Sequence, residues 1–159
     1  MQLTPHFTSE ELLCTSHTLY KKDQEEILQE EPGKLYMLAG FAERVREILC
    51  CPMVITSAYR CDKLNKAVGG SSTSQHALCE AIDFVPKGRD LNKAAIDIMC
   101  SDLKYGQLII ENSKGNRWLH ISIGGKRENL AYNDGKYSLL TTTRDVLENA
   151  KKVAFCSTK

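Results

Sequence analysis

The chain has 159 residues, of which 42% are hydrophobic and 26% are charged, so one domain can bury a core without disulfides or metal. Its 21 Lys and Arg residues nearly balance 20 Asp and Glu residues, and the formal net charge of +1 lacks the basic excess of proteins that neutralise nucleic-acid phosphates. No run approaches the ~18 consecutive apolar residues of a membrane span. We therefore expect a compact monomeric domain that neither binds nucleic acid nor inserts into a membrane.

The amino terminus and the cysteines indicate the compartment. The first residues, Met1–Pro5, do not have the pattern of a secretory signal peptide, which predicts a cytoplasmic protein. Seven cysteines include the adjacent pair Cys50 and Cys51, and no two have the C-x-x-C spacing of a structural zinc knuckle. Because their number is odd and a secretion signal is absent, we expect reduced thiols, most of them buried as small apolar residues.

The first third of the chain is predicted to be helical. Thr8-Ser9-Glu10-Glu11 has the form of a capping box and should begin a short helix that continues through Leu13. Residues 17–34 are polar with an acidic cluster, which favours a solvated face or a loop. Pro32 suits the first turn of a helix, and apolar residues then recur at helical spacing as far as Leu49, which predicts the main core helix.

After Pro52 the pattern changes to short β-branched runs separated by turns. The predicted strands are residues 53–56, 81–85, 107–111, 117–123, 130–132 and 137–140. Asn133-Asp134-Gly135-Lys136 is a strong hairpin signal between the last two strands. The predicted helices are a turn over 62–68, a helix capped by Asp90, and a final helix over 144–153. Helices followed by hairpin-linked strands predict a single α+β domain over residues 1–159 with a largely antiparallel sheet.

Three ionisable residues occupy positions where a strand would be apolar. Asp83 lies inside Ala-Ile-Asp-Phe-Val, Glu111 ends Gln-Leu-Ile-Ile-Glu, and His120 lies inside Trp-Leu-His-Ile-Ser-Ile. Because an unpaired buried charge is costly, each of these side chains needs a partner, and one divalent cation would satisfy several at once. His76, which follows a Gly/Ser-rich loop, is a fourth candidate.

These residue types suit zinc chemistry. Zinc binds histidine nitrogen and carboxylate oxygen, and catalytic zinc sites keep three protein ligands and an open position. His76, Asp83 and His120 would supply the ligands, and Glu111 would remain unligated as the general base. A lone strand histidine is more often a core residue, however, and a strand aspartate more often an edge residue. The spacing alone therefore leaves a purely structural interpretation open.

The segment from Ser74 to Asp83 resembles the S-x-H-x-x-G-x-A-x-D signature of the zinc D-alanyl-D-alanine carboxypeptidases. That superfamily also contains the L-alanyl-D-glutamate endopeptidases of phage lysins and the zinc-binding Hedgehog domain. Further segments resemble, in the correct order, its F-T-x-x-E, S-G-Y-R, L-N-x-A-V-G-G and W-x-H-x-S motifs: residues 6–12, 56–60, 64–70 and 118–122. The resemblance covers about residues 5–123.

The resemblance implies a Hedgehog-like α+β fold that binds one zinc ion through His76, Asp83 and His120. Many relatives carry the catalytic glutamate three residues before the second histidine, where this chain has Arg117, which cannot act as a base. In the subgroup that the chain most resembles, a glutamate ends the preceding strand instead. Glu111 matches that position, and the resemblance implies that it is the general base.

The resemblance also implies substrate-binding roles. Arg60 and Ser74 match residues that point toward substrate, and the planar guanidinium suits a carboxylate through two parallel hydrogen bonds. Arg60 is also close in sequence to Asp62 and Glu80, either of which would make an ordinary ion pair. Trp118 is expected to form a wall of the cleft, although a core position is an alternative for a tryptophan in a strand.

One position of the signature differs from the family pattern. Cys79 stands where the motif has glycine, three residues after His76. A thiol there is either an additional zinc ligand or a small buried side chain. We expect the small buried side chain.

The function that the resemblance implies is zinc-dependent hydrolysis of peptide bonds in peptidoglycan stem peptides. The candidate bonds are the terminal D-Ala-D-Ala bond, the L-Ala-D-Glu bond and a cross-bridge. A small domain without a secretion signal favours the endopeptidase, as in an endolysin that reaches the cell wall by bacteriophage-type lysis or as part of a virion. A cytoplasmic dipeptidase is an alternative. A rival from another class is a non-catalytic, zinc-stabilised module that binds cell wall or protein, as in the Hedgehog relatives.

Overall fold

The computed structural model describes residues 1–156, with side chains described through residue 151. Its helices are α1 Ser9–Leu12, α2 Lys21–Glu25, α3 Ile27–Glu30, α4 Pro32–Leu49, α5 Asp62–Ala67, α6 Leu91–Cys100 and α7 Thr143–Cys156, with a 3₁₀ turn at Thr18–Tyr20. Its strands are β1 Met53–Ser57, β2 Ala81–Pro86, β3 Gln107–Ser113, β4 Asn116–Ser122, β5 Glu128–Asn133 and β6 Lys136–Leu139.

All six strands join in one sheet with the order β1-β2-β4-β3-β5-β6. Every neighbouring pair is antiparallel except β3 and β5, which are parallel. The mostly antiparallel α+β fold is therefore as predicted, whereas the parallel pair was not predicted. The loop between β4 and β5 crosses the start of β3 so closely that a Cβ on Gly106 would lie 1.7 Å from the carbonyl oxygen of Gly124.

The two faces of the sheet have different chemistry. On one face, four side chains from β2 and β4 are fully buried against α4 and α6: Ile82, Phe84, Leu119 and Ile121. The alternate residues Asp83 and His120 lie on the opposite face, because successive side chains of a strand point to opposite sides. The helix-covered face holds the core, and the other face is free for a site.

Residues 17–34 were expected to be a solvated face or a loop, and the structure shows a mostly solvated helical segment rather than a loop. It forms the 3₁₀ turn, α2 and α3, and it buries Gln24 and Ile27 completely or almost completely. The Gln24 amide donates a hydrogen bond to the carbonyl oxygen of Tyr59 (2.8 Å) and accepts one from the backbone N–H of Cys61. A glutamine with both groups paired can be buried without an apolar sequence signal.

The expectation that most cysteines are buried is wrong for the six that the structure describes. Cys61 and Cys79 are buried, whereas Cys50 and Cys100 are exposed and the other two are half-buried. All six are free thiols. Cys50 has left-handed backbone (φ 50°) directly after α4, where the helix end rather than side-chain packing determines its position.

Most other differences between the predicted and the observed secondary structure concern the residues at which strands and helices begin and end. The β3–β4 hairpin has a two-residue turn, Lys114-Gly115, with positive φ at both residues, so β3 is two residues longer than predicted and β4 begins and ends one residue earlier. The last helix extends to Cys156. Among residues 1–156, every helix is too short or too polar to cross a membrane.

Candidate metal centre

Three buried side chains converge on the open face of the sheet. His76 lies in the loop that precedes β2, Asp83 lies in β2 and His120 lies in β4. Asp83 Oδ1 is 2.8 Å from His120 Nδ1 and 3.2 Å from His76 Nε2, and the two ring nitrogens are 3.2 Å apart. One donor atom from each residue lies within 4.8 Å of the other two. These distances allow a single ion to contact all three.

Strand register and a fixed loop produce this convergence. Asp83 and His120 are direct neighbours in the antiparallel β2–β4 pair. His76 is held because its carbonyl oxygen accepts a hydrogen bond from the backbone N–H of Arg60 (3.1 Å). Its ring nitrogen Nδ1 lies 2.7 Å from the carbonyl oxygen of Ala58. The segment after β1 therefore fixes both the backbone and the ring of His76.

The ring orientations of both histidines suit metal binding. The carbonyl oxygen of Ala58 can only accept, so His76 donates from Nδ1 and presents Nε2 to the cluster. His120 Nε2 is 3.0 Å from Gln75 Oε1, which also accepts, and Nδ1 is thereby presented to Asp83. A metal-binding histidine ordinarily donates its other N–H to an oxygen in this way. The side chains thus fit a divalent ion with two imidazole ligands and one carboxylate.

The surroundings of Asp83 favour the ionised form of its carboxyl group. Burial opposes ionisation of this carboxyl group, but hydrogen bonds and charge from His120 and His76 outweigh burial and hold the pKa of Asp83 well below its usual value. Because Nδ1 of His76 and Nε2 of His120 already donate elsewhere, the rings donate to Asp83 only when they carry a second proton. A divalent cation would interact favourably with this carboxylate and with the ring nitrogens that face it.

Glu111 and Trp118 occupy the next row of the same sheet face. They are direct partners in the β3–β4 pair, two residues along from Ile109 and His120. Burial and the nearby Asp83 carboxylate raise the pKa of Glu111. A carboxyl group with a raised pKa is a stronger proton acceptor than an ordinary one.

A cleft of about 530 Å³ joins these residues. All seven residues that the sequence marked as candidates lie around it: Arg60, Ser74, His76, Asp83, Glu111, Trp118 and His120. Arg60 Nη2 is 4.0 Å from Asp83 Oδ2. Within the described part of the chain, Arg60 makes no ion pair with Asp62 or Glu80, the alternative partners that the sequence left open.

The departures from the family motif have structural explanations. Arg117 lies on the face of β4 opposite to Trp118 and donates a hydrogen bond to Asn92 Oδ1 of α6 (2.9 Å), so it is remote from the cleft. Cys79 is buried outside the metal cluster and has left-handed backbone with φ 60°. That backbone region explains why the motif has glycine there. Burial raises the pKa of the Cys79 thiol to about 12, so it remains protonated.

Sequence reasoning missed three residues of this region. Gln75 orients His120, and Tyr137 lines the cleft from β6. Gln24 holds the backbone on both sides of Arg60. The position of Gln75 beside His76 was visible, but nothing in the sequence distinguishes a glutamine that contacts a ligand histidine from an exposed one.

A buried three-donor site on the open face of a sheet, beside a carboxyl group with a raised pKa, is the arrangement of a metal-dependent hydrolase. The family model described as Peptidase M15 matches residues 5–122. The chain therefore belongs to this family of zinc peptidases. No curated protein matches the chain.

Purified protein is expected to bind about one zinc ion per chain, and each of H76A, D83A and H120A should lose it because two remaining ligands hold zinc weakly. Elemental analysis after dialysis measures the zinc content. The variant Q75A keeps all three ligands but loses the acceptor that orients His120, so its zinc affinity should fall about 10-fold to 100-fold. Full zinc occupancy in any of the three alanine variants would remove that residue from the ligand set.

The variant C79G should retain zinc. Glycine relieves the left-handed strain at this position, which stabilises the folded protein by about 1–2 kcal/mol. Loss of the buried side chain and the greater backbone freedom of glycine in the unfolded chain destabilise it by a similar amount. The free energy of unfolding should therefore change by less than about 1 kcal/mol, as measured by urea denaturation. C79A is the matched control, since it removes the thiol and keeps the strain. Loss of zinc in both variants would show that the thiol is a ligand.

Proposed function

We propose that this protein hydrolyses peptide bonds in peptidoglycan stem peptides with zinc, and that Glu111 is the general base. The observation that carries the proposal is the shared cleft, in which the half-buried Glu111 lies on the same sheet face as the His76, Asp83 and His120 cluster. The family match supports a peptide substrate. The stem peptide is the substrate class that the sequence motifs favour.

The chemistry divides between the ion and the protein. His76, Asp83 and His120 would hold a zinc ion, which would supply a Lewis acid for the scissile carbonyl and lower the pKa of bound water to about 7. Glu111 takes the proton from the attacking water and transfers it to the leaving amine. Its raised pKa suits both transfers. Trp118, the direct cross-strand partner of Glu111, would form a wall of the cleft beside this carboxyl group.

Arg60 is proposed to bind a substrate carboxylate. Its side chain is mostly buried, and its Nε atom makes no hydrogen bond within the described residues. A substrate carboxylate would accept from this donor and from a terminal nitrogen in one plane. In the terminal D-Ala-D-Ala bond and in the L-Ala-D-Glu bond, the carboxylate belongs to the leaving residue, as the terminal carboxylate of D-Ala or the α-carboxylate of D-Glu. Ser74, which also lines the cleft, would orient that residue through its hydroxyl group.

Digestion of purified peptidoglycan tests the proposal. The zinc-loaded protein should release fragments with a new amino terminus, which mass spectrometry identifies as D-Ala or D-Glu. E111Q should keep zinc but lose about 100-fold to 10,000-fold in turnover, because the amide cannot accept the proton. E80Q, which changes an exposed glutamate, is the matched control.

Two results would contradict the proposal in different ways. Hydrolysis by E111Q at the parent rate would exclude Glu111 as the base. Binding of peptidoglycan by the zinc-loaded parent without any cleavage would identify a non-catalytic module of the same fold.

The variant R60K should lose about 10-fold to 150-fold in kcat/KM, because lysine cannot reproduce two coplanar bonds to a carboxylate. Amidation of the substrate's C-terminal carboxylate distinguishes the two candidate activities. It should abolish cleavage of a terminal D-Ala-D-Ala bond and leave cleavage of the L-Ala-D-Glu bond unchanged, since the D-Glu carboxylate is not affected. Equal rates for R60K and parent would remove Arg60 from substrate binding.

A further inference from the structure

The β5–β6 hairpin adds a wall to the cleft from outside the region that the family model matches. The match ends at residue 122, and the hairpin comprises Glu128–Asn133 and Lys136–Leu139. In the sheet register, Glu111 of β3 is beside Tyr132 of β5, which is beside Tyr137 of β6. This row places all three residues on the face that holds the metal cluster.

Tyr137 is a free aromatic surface at this end of the cleft. Its ring lies 4.9 Å from that of Tyr132, centroid to centroid, yet 63% of the residue is exposed. Tyr137 lines the same cavity as Glu111 and the metal cluster. Burial and the Glu111 carboxylate raise its pKa, so its phenol is uncharged at neutral pH. An exposed uncharged ring that lines a substrate cleft can bury apolar substrate surface.

The Tyr137 end of the cleft lies farther from the metal cluster than Arg60 does. Arg60 lies within 4.0 Å of Asp83, a metal-cluster residue. Three strand spacings separate β4, which carries His120, from β6, a distance of roughly 14 Å. An extended peptide advances about 3.3–3.6 Å per residue, so this side of the cleft accommodates about four residues.

The position of Arg60 assigns a direction to the substrate. This step rests on the proposed function, in which Arg60 holds the carboxylate of the leaving residue. The Arg60 side of the cleft then holds the leaving residue, and the Tyr137 side holds the acyl part. We propose that Tyr137 is a specificity-determining residue whose ring packs on the acyl part of the substrate, roughly 14 Å from the scissile carbonyl.

The inference is tested with pairs of substrates that differ only in the end of the acyl part that lies farthest from the scissile bond. For the D-Ala-D-Ala bond, the long substrate is L-Ala-γ-D-Glu-L-Lys-D-Ala-D-Ala and the short one is acetyl-L-Lys-D-Ala-D-Ala. For the L-Ala-D-Glu bond, the long substrate carries muramic acid on L-Ala and the short one carries acetyl. The pair is chosen by the bond that the parent cleaves, and kcat/KM is measured for both members.

The parent is expected to prefer the long substrate by about 5-fold to 20-fold, the scale of one well-packed aromatic contact. Y137A should reduce this ratio to about one while kcat/KM for the short substrate stays within about 2-fold of the parent value. Y137F keeps the ring and should keep the ratio. Y36A is the matched control, because Tyr36 is an exposed tyrosine on α4 that does not line the cleft.

Some results would overturn the inference alone, and another would overturn the proposed function as well. Equal loss on both substrates in Y137A would indicate a structural role and overturn the inference, as would a parent that does not distinguish the two lengths. Both of these results leave hydrolysis itself intact. Absence of hydrolysis by the zinc-loaded parent on every substrate would overturn the proposed function and the inference together.

Discussion

The burial of the Asp83 carboxylate between two imidazoles is the constraint on which the site depends. Asp83 is a direct cross-strand neighbour of His120, and the ring of His76 closes the cluster from a loop. An isolated carboxylate in this position would be unstable, so the cluster needs either protons or a cation. The Asp–His pairing therefore links the register of β2 and β4 to the occupancy of the metal site.

The rest of the fold keeps this cluster rigid. The opposite sheet face is covered by α4 and α6, and the fully buried residues Phe84 and Leu119 lie across from each other directly behind the site. On the site side, hydrogen bonds from the segment after β1 fix the His76 loop, and Gln24 fixes the backbone around Arg60. A site built on packed strands and hydrogen-bonded loops keeps its ligands within the narrow range that metal binding requires.

The sequence predicted the parts of this molecule that depend on local pattern and on motif. Helix α4, the β3–β4 and β5–β6 hairpins and the α+β class follow from apolar periodicity and turn residues. The ligand set followed from the motif resemblance, because charged residues inside apolar strands by themselves left a structural interpretation open. The roles of Glu111, Arg60, Ser74 and Trp118 stay predictions, as do the monomeric state and phage-type release.

What the sequence did not predict depends on long-range pairing. The buried position of Gln24 follows from contacts with residues 59 and 61, far away along the chain, and its polar surroundings predicted exposure. The parallel β3–β5 pair places Tyr132 beside Glu111, and neither strand alone indicates its neighbour. Cys79 was expected to be a small buried residue, but its left-handed backbone could be seen only in the structure.

X-ray absorption at the zinc edge of the reconstituted protein tests the central claim most directly, because it reports the atoms bound to the ion. We expect nitrogen and oxygen ligands at about 2.0–2.2 Å, with scattering from two imidazole rings and an open position filled by water. Sulfur at about 2.3 Å would contradict the account, because no cysteine belongs to the cluster within the described residues. Scattering from fewer than two imidazoles would contradict it equally.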